Sequence, residues 1–106
     1  MLRILHLTLT KEPFEMIASG VKLEEYRTIK PYWWTRLTDK TILAGMRKDK
    51  EFDIVRFKNG YGKNAPEMDV QWKGMEMGVG KKEWGASGNK QFIIKLGKVL
   101  SIKNYK

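Results

Sequence analysis

Alternating apolar and polar positions recur along most of this chain, and they predict strands more often than helices. Residues 2–9 read as the first strand, with Leu5, Leu7 and Leu9 on one face and Leu2, Ile4, His6 and Thr8 on the other. His6, the only histidine, reads as a core or edge residue before a catalytic one, because nothing else in the sequence points at it. Residues 52–57 read as a strand, and Asn59 with Gly60 is a turn signal that Tyr61 and Gly62 extend. Residues 68–72 alternate again, with Met68, Val70 and Trp72 on one side. Met75 and Met77 continue that pattern after a break at Gly74. Residues 91–102 are the most apolar segment. There Phe92, Ile94 and Leu96 share a face, Gly97 breaks the phase, and Val99, Leu100 and Ile102 resume it. A lone glycine inside a strand predicts a bulge or corner.

The period changes between residues 10 and 20. Phe14, Ile17 and Ala18 stand at helical spacing and form an inner stripe. Thr10 is placed to accept from the free amides of the first turn, and Pro13 is tolerated there. Gly20 stands where a left-handed residue ends a helix. Pro31 starts a second, short helix carrying Tyr32, Trp33 and Trp34 in succession. Three consecutive aromatics cannot share one helix face. At least one is therefore expected to be exposed or to line a cleft beside Arg36, suited to stacking on a base. The alternative is that two of them plug the end of the core. Residues 38–51 are polar and basic, with Arg47, Lys48 and Lys50 together, and read as a loop pinned by Ile42, Leu43 and Met46.

Five or six strands and one or two helices define a β-rich α+β protein. The expected architecture is a small barrel with helices packed at its openings, formed by residues 1–106 as a single domain.

Charge adds a partner class to that picture. Lys and Arg total 21 against 12 Asp and Glu, a net charge of +9. The surplus grows along the chain: residues 1–30 hold five basic against four acidic side chains, and residues 61–106 hold nine against four. Clustered basic charge is the footprint of a polyanion partner. The absence of cysteine excludes disulfides, thiol nucleophiles and thiolate metal sites. With a single histidine no metal or cofactor is expected. The first residues lack the apolar region of a signal peptide, and no apolar run reaches the roughly 20 residues that span a bilayer. A cytoplasmic protein without membrane contact is the expectation.

Two stretches carry the candidate chemistry. Residues 78–88 form a Gly-rich basic loop with Lys81, Lys82 and Trp84. It lacks the glycine and hydroxyl pattern of a phosphate loop, and Glu83 stands where a dinucleotide fingerprint needs its third glycine. It reads as a loop facing nucleic acid, or as a plain hairpin loop. The second stretch is Gly20, Lys22, Glu25 and Arg27. In a strand over residues 23–29, Leu23, Glu25, Arg27 and Ile29 share the inner face, while Glu24 and Tyr26 fall on the outer one. Lys22 joins Glu25 and Arg27 only if the chain bends where the helix stops. Charges in a half-buried strand require pairing. A pair that only fixes register is the alternative to a functional cleft.

Gly20, Lys22, Glu25 and Arg27 match G-x-K-x-x-E-x-R after a first helix, and the chain resembles the ASCH domain family within the PUA-like barrel superfamily. The resemblance implies a barrel whose motif residues line a cleft for RNA or a nucleoside. Some bacterial members of that family are amidohydrolases of acetylated cytidine. They use the motif Lys, a Thr three residues later as nucleophile, and a Glu from elsewhere. Here Glu25 stands three residues after Lys22, so the nucleophile is missing. An enzyme of this kind would use Glu25 as general base on water, with Lys22 or Arg27 steadying an oxyanion.

The leading expectation is a module that binds RNA or a modified nucleoside through Gly20, Lys22, Glu25, Arg27, Tyr32, Trp33, Asn59, Lys81, Lys82 and Trp84. The alternatives are a small amidohydrolase with Lys22 and Glu25 as catalytic residues, and a protein-interaction domain whose motif is purely structural.

Overall fold

The computed structural model describes residues 1–39 and 48–105. The expected anchors Ile42, Leu43 and Met46, together with Arg47, lie outside the described residues.

The main sheet is built from β1 (Ile4–Leu9), β2 (Glu24–Thr28), and the three later strands β5 (Ile54–Asn59), β6 (Glu67–Val79) and β7 (Lys90–Lys103). A two-residue ladder of β3 (Thr38–Asp39) with β4 (Lys48–Asp49) stands apart from it. The strand order in the main sheet is β1-β5-β6-β7-β2. Only β1 and β5 run parallel, and the other neighbours are antiparallel. Helix α1 (Lys11–Ala18) links the two edge strands, and α2 (Pro31–Leu37) follows β2. The sheet curls into a half-barrel. Its edges meet where the Arg27 guanidinium, on β2, reaches the Thr8 carbonyl of β1 at 3.3 Å.

The apolar alternation places the core as expected. Leu5, Leu7, Leu9, Val55, Phe57, Met68, Val70, Phe92, Ile94 and Leu96 face one cluster, and α1 closes it with Phe14 and Ile17. Leu37 enters from α2. The long strands keep their apolar side inward by slipping register. Trp72 pairs with Leu96 and Gly74 with Lys95, so β6 carries an extra residue at Lys73. A one-residue slip exchanges the faces of a strand. This is why Met68, Val70 and Trp72 are followed by Met75 and Met77, and all five pack on the core. On β7, Val70 pairs with Val99 and Trp72 with Leu96, which places the expected bulge beside Gly97. Two apolar residues depart from expectation: Leu100 is exposed because the pairing slips between Asp69 and Val70 and leaves it as the extra residue of β7, and Ile102, opposite Met68 near the end of the ladder, is 36% exposed.

The α1 terminus sets up the site. Gly20 has φ +83°, its N–H donates to the Ile17 carbonyl, and the Val21 N–H donates to the Met16 carbonyl. This double bond pattern closes a helix on a left-handed residue. The N-terminus differs from expectation: Thr10 holds the cap position with extended backbone, but its side chain makes no capping bond.

Candidate functional site

The left-handed turn at Gly20 points Lys22 back along α1 before β2 begins. Its Nζ lies 2.9 Å from Glu25 Oε1. It also donates to the Trp84 carbonyl. Glu25 Oε2 in turn pairs with Arg27 Nη1. The result is a Lys–Glu–Arg triad, with Lys22 3% and Glu25 5% exposed and Arg27 half-buried. Charges this deep are stable only when paired, so each member requires the others.

Two cavities share Glu25 and Pro13 as a common wall. The larger has a volume of about 520 Å³. It follows the curled sheet's open seam, bounded by β1 from His6 to Leu9, Thr10, Arg27, and Tyr32, Trp33 and Arg36 of α2. Tyr61, 88% exposed, stands at its rim. The smaller, of about 280 Å³, lies between α1 and the 82–85 segment and is bounded by Lys22, Tyr26, Lys82, Glu83 and Trp84.

Two guanidiniums line the larger cavity. Arg27 Cζ lies 5.1 Å and Arg36 Cζ 5.5 Å from the centre of the Trp33 ring. Arg36 also donates to the Tyr32 hydroxyl at 3.0 Å and to the His6 carbonyl at 3.2 Å. Arg27 and Arg36 thus occupy carbonyls two residues apart on edge strand β1. Odd-numbered residues of β1 turn toward β5, since Arg3 and Leu9 carbonyls accept from Asp53 and Gly60. His6 and Thr8 therefore turn their backbone groups to the seam. A wall with two fixed cations, one carboxylate and open tyrosine rings is suited to an anionic aromatic ligand.

In the smaller cavity, the 80–85 segment folds over the outer face of β2. The Lys81 N–H donates to the Tyr26 hydroxyl at 3.0 Å, and that hydroxyl donates to Glu24 at 2.7 Å. A Cβ on Gly80 would collide with the Tyr26 ring. Tyr26 is consequently buried, against the expectation that Glu24 and Tyr26 lie on an open outer face. Burial, opposed by the Lys81 bond and aided by Glu24, pushes the Tyr26 phenol up to about 12. Among the described residues bounding this cavity, Tyr26 is the only side-chain hydroxyl, and it is committed as both donor and acceptor. It is a poor nucleophile in that state.

The structure brings together Lys22, Glu25 and Arg27, and it puts Tyr32 and Trp33 in the larger cavity and Lys82 and Trp84 in the smaller. It separates the rest. Gly20 shapes the turn and lines neither cavity. Asn59 ends β5, where its N–H bonds Pro66, and also lines neither. Lys81 sits over the Trp84 ring at 4.5 Å, outside the cavity wall. The aromatic triplet divides: Trp34 packs on Phe92 at 5.8 Å, while Tyr32 and Trp33 line the cavity. Arg36, expected beside the aromatic cleft but not counted among the binding residues, is a wall residue, and Thr8, Thr10 and Tyr61 join the wall with no signal in the sequence.

No family model matches the chain, and no match is found among curated proteins or among solved structures.

Proposed function

We propose that the protein binds RNA or a single nucleotide in the larger cavity. The observation that carries this is the pair of guanidiniums, Arg27 and Arg36, both held against Trp33 in a cavity of about 520 Å³. Two fixed guanidiniums match a phosphate group. Trp33 already has both cations at its ring and Tyr32 has Arg36 at its own, so base stacking falls to Tyr61. Glu25 keeps lone pairs beyond its two ion pairs and can accept from a base amine. The net charge of +9 supports a polyanionic partner. The spacing of Gly20, Lys22, Glu25 and Arg27 supports placing the chain with the ASCH domains and their PUA-like barrels. A cytoplasmic location suits such a ligand; among the described residues no helix is long and apolar enough to cross a membrane.

The test is titration with adenosine monophosphate and with short single-stranded RNA at low salt, followed by tryptophan fluorescence. Binding that weakens at least tenfold in Arg36→Ala supports the proposal. No binding of either ligand at low salt overturns it.

One observation favours a second reading, the amidohydrolase. Lys22 and Glu25 converge at 2.9 Å and both face the smaller cavity. Against it stands the absence of a free hydroxyl nucleophile among that cavity's described walls. Turnover of acetylated cytidine by purified protein, abolished in Lys22→Ala, would establish it. Turnover unchanged by that substitution would point to a contaminant.

A further inference from the structure

A third cavity, of about 390 Å³, continues the first along the same strand edge. Its wall holds Arg3, Ile4 and Leu5 of the β1 side, Thr35 and Arg36 of α2, and Lys50 and Phe52. Arg36 belongs to both cavities. The two together follow the β1 side without a break from Arg3 to Thr10. At the rise of an extended chain that is roughly 23 Å. Among the described residues of this wall the charges are of one sign, Arg3, Arg36 and Lys50, with no carboxylate. Each cation is held in place. The Arg3 guanidinium lies 5.8 Å from the Phe52 ring centre, and its backbone N–H donates to Asp53. Lys50 Nζ donates to the Thr35 carbonyl at 3.1 Å, which leaves further N–H donors on the ammonium.

We propose that the ligand is an oligonucleotide strand and not a lone nucleotide, and that it runs along the β1 seam from the Arg27–Arg36 cavity toward Arg3 and Lys50. This rests on the nucleotide reading of the larger cavity. A single nucleotide held in that cavity leaves the extension unused. A cationic groove that tracks a backbone, with aromatic rings at one end, is how single strands are held without base pairing. The length suits about four nucleotides, the lower end of what small barrels cover. Arg36, shared by the two cavities, would sit at the phosphate that joins the first nucleotide to the next.

The experiment compares adenosine monophosphate with tetra-adenylate on three proteins: the parent, Arg3→Ala/Lys50→Ala, and the charge-keeping Arg3→Lys/Lys50→Arg. The parent is expected to bind the tetranucleotide at least tenfold more tightly than the monophosphate. The alanine variant should lose that gain and bind the monophosphate as the parent does. Its logarithmic salt slope for the tetranucleotide should fall by about 1.4, two phosphate contacts at about 0.7 each. The charge-keeping variant should retain the gain, which separates loss of charge from loss of fold. Equal affinity for the two ligands, or a length gain that survives the alanine substitutions, overturns the inference while leaving the larger cavity's role intact. Failure of both ligands to bind the parent at low salt overturns both.

Discussion

Lys22 Nζ and Glu25 Oε1 stand 2.9 Å apart although Lys22 precedes the strand that carries Glu25. The left-handed Gly20 makes this approach possible, and the Trp84 carbonyl completes it. The motif is thus one charge system joining the end of α1, β2 and the Gly-rich loop.

Removing the central charge alone should be costly. Glu25→Leu leaves Lys22 buried without a counter-charge and strips Arg27 of its ion pair, and is expected to destabilise by about 3–5 kcal/mol. The triple variant Lys22→Met, Glu25→Leu, Arg27→Met removes every charge together and should be at least as stable as the parent. Urea unfolding measures both. A triple variant that also loses nucleotide binding would show that the triad serves the ligand and not the fold; a triple variant as unstable as the single would show that the triad holds the structure.

A glycine of the Gly-rich loop should resist substitution where one of the turn after β5 does not. Gly80→Ala drives a methyl into the Tyr26 ring and should cost about 1–3 kcal/mol. Gly62, with nothing within 4 Å of a Cβ, should accept alanine within about 0.5 kcal/mol. Equal effects in thermal or urea unfolding would refute the contact.

Alkaline titration should single out Tyr26. Its phenol is pushed from 10.0 up to about 12, so the folded state favours the neutral form. That contribution is full below pH 10 and is lost as pH rises toward 12. Absorbance of tyrosinate should show one of the four tyrosines ionising late, and Tyr26→Phe should remove both the late step and the matching loss of stability.

The acid limb should involve Asp69. The Arg56 guanidinium bonds both its oxygens, at 2.7 and 2.9 Å, and holds the carboxyl below its ordinary value of 3.8. Stability from this pair is present above that ordinary value and is lost as pH falls below it. Asp69→Asn should flatten the stability profile below pH 4, at a cost near neutral pH of about 1 kcal/mol, modest because the pair is partly exposed.

Tyr61 should matter to binding and not to folding. Its ring is exposed at the rim of the larger cavity. Tyr61→Ala is expected to weaken adenosine monophosphate about tenfold with an unchanged unfolding midpoint, in line with loss of one base stack. Unchanged affinity would remove Tyr61 from the site.

Local pattern alone determined a good deal of this molecule. The alternation of Leu5, Leu7 and Leu9, the stripe of Phe14 and Ile17, and the stop at Gly20 each follow from side-chain period and backbone sterics, which act within a few residues. The same local reasoning paired Glu25 with Arg27, because residues two apart on a strand share a face. Tertiary structure decided everything that depends on distant segments. Tyr26 is buried because residue 80 lies over it, and Lys22 is satisfied by a carbonyl 62 positions away. Arg36 belongs to the cavity because α2 faces the edge of β1, where it meets the His6 carbonyl. No pattern read along the chain encodes such meetings. They arise when the sheet curls and brings its two edges together, which is why the elements were readable in the sequence and the walls of the site were not.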